Sequence, residues 1–550
     1  MTSPRHINDE TGLGHPAATD TENEAVSDEA KIGEEVVNTK STKEGIVTEL
    51  LDSQAPEMVD RNMPFWQVVR TWPYAVLWSV VLSSPMVLTG YTPSYMAYLN
   101  AMPAFTKKFG FEYDNLFIIA ASWQAAIAAS SMIGMIIGAP LITIAMEKYG
   151  RKIPFWGSFI FQIAFVFVQF FGESLGAILA GTLLMNIPLG AYGVLSMSYA
   201  TEVAPFRLRG VVGGMYCMWV LIGPLIAVGV SNGIVSMTSD TSYRVGFAVQ
   251  WAWPAILGPL LFIVPESPVW LIRQGRVVEA EASLRKLARK GHDVRPTLFF
   301  IEQIDRRDRE LDEGTGFMEC FRGTNLRRTV IASIVYAAMN VTGVTMVLNS
   351  AYFLQVAGVD AKTAFNLSLG IQGVIVAGSL LSLGLLAKYD RRNIYLWSQV
   401  ASTIMSFIIG FLQITPNYYE RTDILWAQAG IMVVWGLNFG ATLAPISTTI
   451  MSEVSCLRLR PKTIAVAGIA QFIIIVVSFI TYPYLINPDQ GHLQGYIGFI
   501  MGGCCLLFTT WIFFCCPETN RPVHELDLLF ERKVSARNFA KYDLLDTHNP

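Results

Sequence analysis

The sequence predicts an all-α membrane protein in which twelve transmembrane helices form two pseudo-symmetric six-helix halves. Three observations carry that prediction: a composition too apolar for a water-facing surface, twelve hydrophobic runs of membrane-crossing length, and three motifs that each occur twice in the same order.

Of 550 residues, 52% are hydrophobic and 15% are charged, whereas soluble domains carry roughly 25% charged residues. A net charge of −3 gives no basic face for nucleic acid, so no nucleic-acid partner is expected. The seven cysteines are odd in number and include the adjacent pairs Cys504-Cys505 and Cys515-Cys516. They do not read as a disulfide framework or a metal site but as small apolar residues in membrane helices. Palmitoylation of Cys515 or Cys516, which close the last apolar run, is the alternative.

Residues 1–70 are polar and acidic and read as a disordered N-terminal tail, with no apolar core after Met1 to make a secretory signal. From Trp72 onward the apolar runs fall at 74–98, 117–143, 154–172, 176–199, 211–232, 246–264, 329–354, 364–387, 394–414, 424–450, 463–485 and 495–515. At 1.5 Å per residue each is long enough for a hydrocarbon core of ~30 Å. The N-terminal bundle is therefore 71–265, a polar linker with a surface helix near 279–290 occupies 266–328, the C-terminal bundle is 329–516, and 517–550 is a charged tail.

Basic residues set the orientation. The short loops at 147–152, 206–210, 388–392 and 457–462 hold eleven Lys and Arg, against three in the opposite loops at 172–175, 233–245, 355–363, 415–423 and 486–494. By the positive-inside rule both termini and the linker are expected in the cytoplasm, most simply at the plasma membrane.

The repeats define the halves. Glu202-Val-Ala-Pro-Phe-Arg-Leu-Arg209 returns as Glu453-Val-Ser-Cys-Leu-Arg-Leu-Arg460, Pro265-Glu-Ser267 as Pro517-Glu-Thr519, and Lys148-Tyr-Gly-Arg151 as Lys388-Tyr-Asp-Arg391. Parallel repeats place a solute site between the halves, which then rock about it. The charges at these stations, Glu147, Arg151, Glu202, Arg209, Glu266, Asp390, Arg391, Glu453, Arg460 and Glu518, are candidates for a gating salt-bridge network. The plainer alternative is that they only set topology.

No carboxylate or His lies within a run away from its ends. Intramembrane ionisable groups normally mark proton relays, so facilitated diffusion is expected. The polar residues left in the runs include Gln124, Gln162, Asn186, Asn340, Thr345, Asn349, Gln372, Trp435 and Asn438. Amides and an aromatic plate suit the hydroxyls and C–H face of a sugar; the alternative for each is a bond to a neighbouring helix.

The motifs Glu147-Lys-Tyr-Gly-Arg-Lys152, Glu202 to Gly210, Pro265-Glu-Ser-Pro-Val-Trp-Leu271 and Pro517-Glu-Thr519 with Glu525-Leu-Asp527 resemble those of the sugar porter family of the major facilitator superfamily. The segments Cys320 to Thr329, Gln250-Trp251, Trp253-Pro254, Leu459-Arg-Pro-Lys-Thr463, Tyr482 to Pro488 and Ser535 to Phe539 are similar to fungal maltose and α-glucoside permeases. The resemblance runs from about Trp66 to Tyr542. It implies the twelve-helix fold, no cofactor and no metal, and a cavity lined by the seventh and tenth helices, hence substrate contacts from Asn340, Thr345, Asn349, Trp435 and Asn438 with Gln124.

The chain departs from that pattern at its centre. Where proton-coupled permeases carry two carboxylates in the first helix, it has Thr89 and Thr92, and Thr92 joins the candidate contacts. A helix-eleven Arg is replaced by Gly468, a helix-seven Gln by Met339, and a helix-five Gln or Asn by Cys217. The expected function is a permease for a maltose-like sugar or polyol, possible without proton coupling. The alternative is a transporter or exporter of another small metabolite; a nutrient sensor would need a longer tail. No nucleophile–base pair or metal cluster in the soluble parts suggests an enzyme. The expected partners are a small solute and the lipid bilayer.

Overall fold

The computed structural model describes residues 65–539 apart from 114–115, 238, 240, 313–316, 416–420, 457–458 and 522. Of the tail read as disordered, residues 1–64 lie outside this set, and Phe65–Thr71 forms the short helix α1. The first span is α2 (Pro73–Ser83) followed by α3 (Met86–Leu99), divided at Pro85, whose missing N–H interrupts the helical ladder. Helix α4 (Pro103–Phe109) and an antiparallel hairpin, β1 (Phe111–Tyr113) with β2 (Leu116–Ile118), lead to α5 (Ala121–Tyr149). The run beginning at 117 thus enters its helix four residues later, because its first residues pair as a strand.

Helices α6 (Lys152–Phe170), α7 (Leu175–Val203) and α8 (Phe206–Ile234) follow, and the sixth span is split into α9 (Arg244–Val249) and α10 (Ala252–Leu261). The linker folds as α11 (Pro268–Arg273), α12 (Val277–Leu287) and α13 (Arg295–Asp312). The seventh span is broken twice, into α14 (Gly323–Val341), α15 (Val344–Leu348) and α16 (Ser350–Val356). Gly343 supplies the left-handed turn at the first break, with φ 96°, where a side chain would be strained. Then come α17 (Ala361–Lys388), α18 (Arg391–Gln413), α19 (Thr422–Asn438), a π-helical turn at Phe439–Leu443, α20 (Ala444–Val454), α21 (Arg460–Ile486), α22 (Ile497–Cys515) and the tail helix α23 (Val523–Glu531).

Ten spans among the described residues are long and apolar enough to cross a membrane. The interruptions in the sixth and seventh account for the difference from twelve. Large apolar side chains such as Phe262 and Leu507 point outward, as a lipid-facing surface requires.

Within each half the helices touch backbone to backbone. A Cβ on Gly138 would stand 1.9 Å from the Ile187 carbonyl oxygen, one on Gly190 2.2 Å from that of Met135, and one on Gly440 2.2 Å from that of Ile375. Such close approach is how small residues hold membrane helices together. Between the halves α21 lies against α5 and α17 against α8, and a Cβ on Gly229 of α8 would meet Leu369 of α17 at 3.9 Å, an ordinary van der Waals contact.

The linker seats on the first half. Arg289 N–H donates to the Thr71 carbonyl at 2.8 Å, the Ser283 hydroxyl to that of Glu266 at 2.5 Å, and Trp72 meets His292 edge-on. The tail seats on the second half, where Arg328 pairs with Asp527 and lies 4.5 Å over the Phe530 ring. The end of the bundle carrying the linker and tail helices is called the linker end below, and the opposite end the distal end.

Candidate functional site

The repeated motifs build the same device twice at the linker end. In the first half the Glu266 carboxylate accepts the Arg151 and Lys152 backbone N–H groups at 2.9 and 3.2 Å. It thereby caps the N-terminus of α6, where unpaired amides and the helix dipole favour an anion. Arg151 pairs with Glu202 at 2.5 Å, and the Ser267 hydroxyl donates to the other Glu202 oxygen at 2.5 Å. In the second half Glu518 accepts the Arg391 and Arg392 N–H groups at 3.2 and 3.1 Å at the start of α18. Arg391 Nε lies 2.8 Å from Glu453, a charge contact rather than an aligned hydrogen bond, and Thr519 donates to Glu453 at 2.7 Å.

Glu202 pairs with Arg151 across 51 positions, and the side chain of Arg209 lies outside the described residues. The pairs join helices of one half, not the two halves. Glu147 and Asp390 take no part in an ion pair among the described residues: the Glu147 carbonyl accepts from Trp270 Nε1 at 3.0 Å, and Asp390 precedes α18. Arg460 Nε is buried with no hydrogen-bond partner among the described residues.

At the distal end neutral side chains and one lysine join the halves, the Lys362 ammonium donating to the Asn232 carbonyl at 2.8 Å. Gln124 of α5 donates to Asn487 Oδ1 at 2.9 Å, and the Tyr352 hydroxyl of α16 donates to the same oxygen at 2.5 Å. Asn487 in turn donates to the Ile119 carbonyl at 2.9 Å. Gln355 donates to the Ala101 carbonyl at 2.7 Å, Gln372 to the Tyr98 hydroxyl at 3.3 Å, and Asn232 to Asn366 at 2.9 Å. These bonds form a latch that closes the distal end.

Beneath the latch lies a cavity of about 40 Å³ with walls from both halves, including Pro93, Gln124 and Ser131 on one side and Thr345, Asn349 and Tyr482 on the other. A water needs roughly 10–15 Å³ on this measure, so in this state the cavity has room for a few waters and not a sugar ring. Deeper towards the linker end, Tyr336 reaches Gln471 and lies beside Tyr216 and Cys217. Asn340, one turn from Tyr336, is buried with its amide nitrogen unpartnered. A Cβ on Gly468 would meet open space.

Of the candidate contacts, Gln124, Thr345 and Asn349 line the cavity, and the others do not. Thr92 donates to Gln250 at 2.9 Å inside the first half, in a buried amide network that continues to Gln169 and Gln162. Trp435 donates to the Thr342 carbonyl at 2.9 Å and caps the break in the seventh span. Asn438 bridges to Ser398 and Ser402 of α18. Tyr352 is not singled out from sequence, and Tyr482 and Asn487 enter there only within the stretch Tyr482 to Pro488 that resembles fungal permeases, because tyrosines do not stand out in aromatic-rich runs.

A family model described as sugar (and other) transporter matches residues 78–530. The general alpha-glucoside permease of Saccharomyces cerevisiae is 30% identical over 499 residues, covering 89% of this chain and 80% of that protein. Maltose permease MAL31 of the same yeast is 30% identical over 501 residues, covering 89% and 81%. Among solved structures, the xylose transporter XylE from E. coli, in a partially occluded inward-open conformation, aligns with TM-score 0.65 at 20% identity, covering 82% of this chain and 99% of that one. That structural likeness carries the fold alone; with the family match over most of its length, the chain belongs to the sugar transporter family of the major facilitator superfamily.

Proposed function

We propose that this chain moves a maltose-like α-glucoside, or a polyol, across the membrane by alternating access and without proton coupling. The observation that carries the reading is a cavity walled by both halves and sealed by hydrogen bonds that run from one half to the other. Alternating access needs a solute site shared by two bodies that move, and the two closely packed halves are candidates for those bodies. The relatives named alpha-glucoside and maltose permeases support a sugar over an exported metabolite. Uniport is supported by spans that carry no carboxylate or His away from their ends, since a proton relay in a membrane normally uses such groups.

The charge count supports a cytoplasmic linker end and, with the yeast permeases, a plasma-membrane location. In that orientation the described state is closed to the outside. The clusters around Arg151–Glu202 and Arg391–Glu453 then act in gating as preformed faces, each held within its half, that approach one another when the cytoplasmic end closes.

Labelled maltose uptake into cells lacking their own permeases, with and without a protonophore, tests the reading. Saturable uptake that survives the protonophore is expected. Abolished uptake would remove the uniport claim and keep the sugar; no uptake of any sugar or polyol by protein at the cell surface would overturn both.

A further inference from the structure

The cavity under the latch is a separate tier from the deeper group around Gln471. Tyr482 and Gln471 both lie on α21, 11 residues apart, which is about 16 Å along a helix axis. Tyr482 is 3% exposed, lines the cavity, and has a buried hydroxyl with no partner among the described residues. A buried hydroxyl without a partner is costly. Beside it, the Asn349 amide donates to the Thr345 carbonyl at 2.8 Å, which leaves Asn349 Oδ1 as an acceptor. Thr345 adds a hydroxyl that both donates and accepts. No charged side chain lines the cavity, so the wall suits a neutral group that donates and accepts at once, namely an alcohol hydroxyl.

We propose that Tyr482 of α21 is a further solute contact, its hydroxyl bonding a hydroxyl of the transported solute beside the already expected contacts Thr345 and Asn349 to complete a distal subsite, occupied when the halves part at the latch and widen the cavity. The three residues belong to the second half and face Pro93, Gln124 and Ser131 of the first across the cavity, so its size changes with the rocking motion, as the small volume of the closed state requires. The inference rests on the sugar reading above and adds to it a second hydrogen-bonding tier on the route to the deeper group.

Tyr482→Phe removes the hydroxyl and keeps the ring. The test compares labelled maltose uptake by wild type and Tyr482→Phe, each normalised to surface protein, and repeats it with singly deoxygenated maltoses. A rise in KM of about three- to tenfold, the effect of one neutral hydrogen bond, is expected with little change in maximal velocity. One deoxy analogue is expected to erase the difference between the two proteins. An unchanged KM overturns the subsite. So does a KM raised equally for every analogue, which would mean that the hydroxyl holds only water. If Tyr482→Phe fails to reach the surface, Thr345→Val is read in the same way. If wild type itself transports no sugar, the parent reading falls and this one with it.

Discussion

Glu202 and Arg151 meet at 2.5 Å inside one six-helix half, with side chains only 14% and 7% exposed. Arg391 and Glu453 repeat the contact in the other half with 19% and 27% exposure. The pairing staples the ends of α5 and α6 to the end of α7, and its counterpart joins α18 to α20.

Removing one partner of a mostly buried pair strands a charge, at a cost of roughly 3 kcal/mol. Arg151→Ala is therefore expected to lower the melting temperature of the purified protein clearly, and Arg391→Ala less, at about 1–2 kcal/mol because its pair is wetter. Equal effects, or none, would contradict the burial argument. Thermal unfolding followed by tryptophan fluorescence provides the comparison.

The latch gives a prediction about populations. Gln124→Ala deletes the bond to Asn487 and the longer one to Tyr352 across the seam, so the distal-open fraction is expected to rise about three- to tenfold. Distances between spin labels placed within residues 100–113 and 487–493 report it directly. A distribution identical to wild type would mean that Gln124 does not hold the end shut.

Glycine contacts separate tight helix crossings from open positions. Gly138→Ala places a methyl 1.9 Å from a backbone oxygen and is expected to destabilise by about 2 kcal/mol or more, because backbone cannot step aside cheaply. Gly370→Ala meets nothing within 4 Å and is expected to leave the melting temperature within a degree or so. Similar melting curves for the two variants would count against the rigid-half picture.

Thr92 and Asn438 are set apart from the cavity by their partners. Thr92→Val leaves Gln250 without its donor and is expected to cost about 1–2 kcal/mol of stability, with KM for the solute unchanged. Asn438→Ala is expected to behave alike. A KM shift without a stability loss in either variant would return that residue to the solute path.

Much of the architecture was legible because lipid imposes a length and an apolar composition on each span, and because the duplicated motifs fixed the division at the linker. The breaks were not. Gly343 sits in a run as apolar as its neighbours, and the π turn at Phe439–Leu443 leaves no compositional mark. Gln124, Thr345 and Asn349 were readable as polar residues in apolar runs, but Thr92 and Asn438 look the same in sequence and bond to helices of their own half. Nor does proximity along the chain reveal that Glu202 chooses Arg151, since the choice depends on how α5, α6 and α7 cross. The caps that Glu266 and Glu518 place on α6 and α18 have no local signal either; only their matched stations in the repeat hint at a shared task.

The linker helices rest on the first half, while the 3₁₀ turn at Phe317–Phe321 and the tail helix rest on the second. Each bundle thus brings its own lid at that end, and the division between the two falls between Asp312 and Phe317. A gene cut there and expressed as two pieces is expected to reassemble in the membrane into a working transporter, with the seam alone as the meeting surface.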